Sequence, residues 1–161
     1  MKKILLILMA MFAFGLQNVS AQDGIKIITN HPDFKIKVKR CAASGKTVII
    51  DLVLTNVGTN DVENVSIAGG CWGSEVYDDE GNIYNTSNLG VRVANRDSYD
   101  CRDTGSFNIP TGVPMKLSIS IEGVPQSSES IARLKLIANC SKWALTKDKP
   151  IRISNIPISR D

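Results

Sequence analysis

The chain has 161 residues, 43% of them hydrophobic and 22% charged, with a formal net charge of +3. That size suits one domain with a core of its own, and the sequence shows no linker, repeat or low-complexity segment and no large net charge. The near-balance of 19 basic and 16 acidic residues gives no reason to expect nucleic acid or an anionic surface as a partner.

The chain opens "MKKILLILMAMFAFGLQNVSAQ", in which Lys2 and Lys3 precede an apolar run from Ile4 to Leu16 and small residues end at Ala21. This is the layout of a secretory signal peptide. The run is shorter than the roughly 20 residues a spanning helix needs. We therefore expect residues 1–21 to be the leader and 22–161 a single domain, periplasmic or secreted, with no stable membrane anchor. Without the two leader lysines, 17 basic residues face 16 acids, a net charge of +1.

Period-two alternation then recurs along the chain. "FKIKVK" (34–39) sets Phe34, Ile36 and Val38 against three lysines. "TVIIDLVLTN" (47–56) places Val48, Ile50, Leu52 and Leu54 on one side. "PMKLSISIEG" (114–123), "ARLKLIA" (132–138) and "PIRISNIPIS" (150–159) repeat the pattern, which marks half-buried strands. Weaker strands are expected near 25–29, 63–68, 74–78, 82–85, 90–94 and 105–109. Turn-forming sequences such as "ASGK", "NVGTND", "DDEGN" and "GVPQSS" separate them. Only "QSSESIAR" (126–133) offers one short helical turn. The reading is an all-β, antiparallel, immunoglobulin-like sandwich.

Four cysteines follow the leader: Cys41, Cys71, Cys101 and Cys140. In an exported chain an even count reads as two disulfides. The spacing lacks the close pairs of a zinc site. We expect Cys71–Cys101, both in loop-like sequence, and Cys41–Cys140, which needs a bulge or strand end to bring its two faces together.

Few segments could carry chemistry. "VYDDEGNIY" (76–84) reads as a tight hairpin, with Gly81 in a left-handed position and the three acids exposed. A helix–loop–helix calcium loop would need alternating ligands and a closing glutamate. Adjacent acids with nothing to separate their pKa values make a poor catalytic pair. "RCAASGKT" (40–47) ends like a phosphate loop but has Arg40 where glycine is required. His31, the only histidine, is expected in an exposed N-terminal loop, so Ser–His or Cys–His catalysis has little to build on. No catalytic, metal or cofactor residue is assigned, and no enzyme activity is expected. A possible ligand surface is assigned to Trp72, Trp143, Tyr77 and Tyr84 as sugar platforms. The stripe Lys35, Lys37, Lys39 with Arg40 is read first as a solvated face or edge protection, and second as a surface for acidic polysaccharide or lipid headgroups.

The segments "VIIDLVLTNVGTNDV" (48–62), "VYDDEGNIY" (76–84) and "IPTGVPMKLSISIEGVP" (109–125) resemble a group of bacterial exported immunoglobulin-like domains of unknown function, similar to the mycobacterial secreted immunogenic sandwich proteins. The resemblance implies a non-enzymatic binding or accessory module of the envelope with an unknown protein or glycan partner. The alternative is a carbohydrate-binding module using exposed aromatics.

Overall fold

The computed structural model describes residues 24–29, 31–97, 102–140 and 150–160. The expected leader, Cys101 and Trp143 lie outside them. Among the described residues there are fourteen strands and no helix: β1 (Lys26–Ile28), β2 (Phe34–Ser44), β3 (Thr47–Asn56), β4 (Val62–Ile67), β5 (Glu75–Asp78), β6 (Ile83–Tyr84), β7 (Leu89–Val93), β8 (Arg96–Asp97), β9 (Phe107–Ile109), β10 (Pro114–Glu122), β11 (Ser130–Leu136), β12 (Ala138–Cys140), β13 (Ile151–Pro157) and β14 (Ser159–Arg160). The short helical turn expected at 126–133 does not form. Ser130 already starts a strand that pairs with both β13 and β5.

Two larger sheets make a sandwich. One runs β14-β2-β3-β10-β7-β8 and the other β1-β13-β11-β5-β6, with a small β12-β4-β9 sheet beside them. Pairing is antiparallel except for β14, which lies parallel to β2. The alternation seen in the sequence becomes the core. In register, Ile50 faces Ile119, which faces Val91, and Leu52 faces Leu117, which faces Val93. All six are at most 2% exposed. Each such side chain contributes roughly 1.5–3 kcal/mol by leaving water. Ile131, Leu134, Leu136, Ile151 and Ile153 supply the facing layer from β11 and β13.

The register of β2 slips between Val38 and Arg40. Lys39 and Arg40 are both exposed, and the inward set resumes at Cys41. An extra residue in one strand of a pair does this. Cys41 is thereby delivered to the core, 6% exposed, as a free thiol. The expected Cys41–Cys140 bond, and with it the two-disulfide framework, is therefore corrected: the bulge that the pairing needed turns Cys41 into the hydrophobic interior instead. No disulfide joins two described side chains. Cys71 is a disulfide cysteine whose bond reaches outside the described residues.

His31 is also corrected. It is 2% exposed, not solvated, and its ring stacks on Phe34 with centroids 3.9 Å apart. Its Nδ1 accepts from the Asp33 amide at 3.2 Å. Burial lowers its pKa, against the opposing pull of Asp33. It caps the start of β2 as an aromatic core residue.

Candidate functional site

The hairpin at 76–84 forms as expected. The Asp78 amide donates to the Asn82 carbonyl at 3.2 Å, the Gly81 amide donates back to the Asp78 carbonyl at 3.3 Å, and Gly81 takes φ +87°. The acids, however, are not simply solvated. Asp78 is 2% exposed, because in β5 it occupies an inward position after Val76. Its Oδ1 accepts from the amides of Glu80 at 3.1 Å and Asn82 at 2.8 Å. Its Oδ2 accepts from Asn82 Nδ2 at 2.9 Å, Tyr84 Oη at 2.8 Å and Ser128 Oγ at 2.8 Å. Burial would raise this carboxyl's pKa, but the bonds from Asn82, Tyr84 and Ser128 outweigh it and hold the group below the usual carboxylate range. Burial, with the same Asp78 contact, pushes the Tyr84 phenol up. Asp79 reaches out to the β10–β11 loop. Its Oδ2 accepts from the Glu129 amide at 3.1 Å, the Ser130 amide at 3.0 Å and Ser130 Oγ at 3.3 Å. Asp78 is a buried structural node, and Asp79 an exposed clip onto the next loop.

Tyr84 therefore leaves the set of ligand aromatics: it is 4% exposed, with its hydroxyl spent on Asp78. Tyr77 stays on the outer face of β5, where its hydroxyl donates to Glu75 Oε2 at 3.2 Å. Trp72 is 50% exposed. It borders a concavity of about 500 Å3 shared with Gly70, Cys71, Gly73, Ile137 and Asn139. The β4–β5 loop that carries Trp72 is pinned by Ser74. Ser74 Oγ donates to the Ala68 carbonyl at 2.6 Å and accepts from the Ile137 amide at 3.1 Å. The structure does not bring Trp72, Tyr77 and Tyr84 into one platform.

A second concavity, of about 650 Å3, lies on the outer face of the β2-β3-β10-β7 sheet. Its charged lining is Arg40, Asp51, Arg92 and Lys116, with Ser118, Ser120, Ile49 and Gly90 between them. Asp51 sits at the centre. It faces Arg40 and Ser118 in register, accepts from Ser118 Oγ at 2.6 Å, and has Arg40 at 3.2 Å and Lys116 at 3.7 Å. Gly90 lies opposite Ser120, and a Cβ there would stand 2.6 Å from Ser120 Oγ. The missing side chain deepens the groove.

Sequence reasoning saw the lysines of β2 but not this groove, because Asp51, Lys116 and Arg92 come to it from other strands. It also missed Asp78 as a buried node. A third concavity, of about 660 Å3, lies between Asp33 and the 57–63 loop. Asn56, fully buried, organises that loop, donating to the Asn60 carbonyl at 2.8 Å and accepting from the Gly58 amide at 2.9 Å. Asn56 stands first in the "NVGTND" turn.

No protein-family model and no curated protein matches the chain. Among solved structures it is similar to a family 123 glycoside hydrolase from Clostridium perfringens, with 12% identity over 74% of this chain and 21% of that one, at a TM-score of 0.40. It is also similar to the Salmonella enterica trimeric lipoprotein SadB, with 13% identity, 83% and 56% coverage, and a TM-score of 0.40. A third is self-complemented MyfA, the major subunit of Myf fimbriae from Yersinia enterocolitica, with 10% identity, 78% and 99% coverage, and a TM-score of 0.39. The chain thus spans about a fifth of the hydrolase and little more than half of the lipoprotein. Likeness at this level carries neither activity nor partner across.

Proposed function

We propose that the chain is an exported, non-enzymatic binding or accessory module of a bacterial envelope, built on an immunoglobulin-like sandwich. The fold assignment is supported by strand order. β2-β3-β10-β7 on one sheet and β13-β11-β5 on the other follow the A-B-E-D and G-F-C arrangement of that architecture. One observation carries the functional reading. The buried titratable side chains described, His31, Cys41, Asp78 and Tyr84, are all held by packing or hydrogen bonds, and none lines the three concavities. The titratable groups that do line them, such as Asp51 with Arg40 and Lys116, form ion pairs on a sheet face, an arrangement suited to a binding surface.

Export is supported by the leader sequence, and no described helix is long and apolar enough to cross a membrane. Cell fractionation and N-terminal sequencing test it. Processed protein beginning at Gln22 in the periplasm or medium is the expected result, and unprocessed cytoplasmic protein refutes export. A carbohydrate-binding reading keeps one specific support, the half-exposed Trp72 beside its concavity. Neutral-glycan binding lost in Trp72→Ala favours that reading.

A further inference from the structure

We propose that the outer face of the β2-β3-β10-β7 sheet binds an acidic glycan, a sugar polymer bearing carboxylate or sulfate groups. The inference rests on the reading of the chain as an exported binding module. The face presents Lys35, Lys37, Lys39, Arg40, Arg92 and Lys116 against Asp51 and Glu122. This excess is local. The chain without its leader is nearly neutral, and acids gather elsewhere, as with Asp33, Asp61 and Glu63 around the 57–63 loop.

Edge protection explains lysines on β2, which is a border strand along most of its length. It does not explain Lys116, which stands on β10 between β3 and β7. In register Lys37 pairs with Val53, and Val53 with Lys116, while Arg40 pairs with Asp51 in the neighbouring row. Strands lie about 4.8 Å apart, so Lys37 and Lys116, one strand either side of β3, stand about 10 Å apart, and same-face residues along one strand are about 7 Å apart. Fixed cations at such intervals suit a polymer with an acid group on successive sugars. Arg92 is engaged within the protein, so the inference stands on Lys37, Arg40 and Lys116. Arg40 and Lys116 stay available despite Asp51, with side chains 61% and 66% exposed, and Lys37 is exposed on the same face. The groove adds what a sugar needs besides charge. Ser118 and Ser120 offer hydroxyls, Ile49 is 38% exposed as an apolar floor, and Gly90 leaves room for a ring.

The test is titration of the 22–161 chain with polygalacturonate, dextran sulfate and neutral dextran, with duplex DNA and anionic vesicles as competing polyanions. Both acidic glycans should bind and dextran should not. The double variant Lys37→Gln, Lys116→Gln should bind about tenfold more weakly, with an unchanged melting temperature, since both side chains are solvent-facing. Added salt should weaken wild-type binding by a similar factor as the Debye length shrinks. The proposal is overturned if neither acidic glycan binds, if dextran binds equally, if the double variant binds like wild type, or if DNA or vesicles bind more tightly. Export is measured separately, so an exported chain that ignores acidic glycans overturns this inference and leaves the broader reading standing.

Discussion

At the scale of single residues, Asp78 shows how a polar group becomes part of a hydrophobic interior. A buried carboxylate is costly unless its oxygens are bonded; this one collects five donors, from Glu80, Asn82 twice, Tyr84 and Ser128. Asp78→Asn replaces one acceptor oxygen with a donor that faces Tyr84 and Ser128 or the amides. We expect a loss of roughly 2–4 kcal/mol in denaturant melts. The pH dependence has a definite sign. The folded carboxyl titrates below its unfolded counterpart, so its contribution is complete above the ordinary carboxylate range and disappears as pH falls through the lower folded value. The gap between wild type and Asp78→Asn should narrow on acidification below that range. A gap independent of pH would mean that Asp78 is not held ionised. Gly81 gives a separate expectation. Its φ of +87° is strained for any side chain, although no atom lies within 4 Å of a Cβ placed there. Gly81→Val should cost about 1–2 kcal/mol from the backbone alone. Asp79→Ala should cost about 1 kcal/mol, since the bonds it loses to the β10–β11 loop are exposed and water replaces them. A larger loss in Asp79→Ala than in Gly81→Val would show that the loop clip matters more than the turn.

At the scale of elements, the C-terminal strand fastens the sandwich. β13 belongs to one sheet and β14 to the other, so the chain crosses between layers at Ile158, whose amide donates to the Glu129 carbonyl at 2.9 Å. Arg160 then donates to the Pro125 carbonyl at 2.7 Å and the Ser128 carbonyl at 2.9 Å. Ser128 in turn bonds Asp78. Hairpin β5–β6, the β10–β11 loop and β14 thus share one polar network. Arg160→Ala should destabilise by about 1–2 kcal/mol, and less than additively with Asp78→Asn, because neighbours in one network couple. Additive losses in the double-mutant cycle would divide the network in two. The strands of this network were legible in the sequence because one face of each is wet and the other dry. The bulge at Lys39 was not, since one extra residue leaves the composition of the segment unchanged and only the partner strand reveals it. Asp78 was misread for a similar reason. A run of three acids looks solvated, and the serine that helps to bury the first lies fifty residues away in the chain.

At the scale of the whole molecule, Cys41 reports on global unfolding. It sits on β2 inside the main core, and burial pushes its thiol up to about 12, with Arg160 pulling in the other direction. Only the thiolate reacts quickly with alkylating or disulfide reagents, and the core admits neither reagent nor hydroxide while the sandwich is intact. Modification of Cys41 must therefore pass through opening of the β2–β3 region, the most extensively paired hairpin in the register. When opening and closing are fast relative to labelling, the rate follows the population of the open form. Substitutions far from Cys41, such as Asp78→Asn, should accelerate its labelling by the factor their stability loss sets, about tenfold per 1.4 kcal/mol. Peptide mapping after alkylation under denaturing, non-reducing conditions should find Cys41 modified and Cys71 protected. Cys41 left unlabelled after full denaturation would restore the second disulfide that the sequence predicted. Rapid native labelling, unmoved by Asp78→Asn, would mean instead that β2 opens locally and that the two sheets do not unfold as one unit.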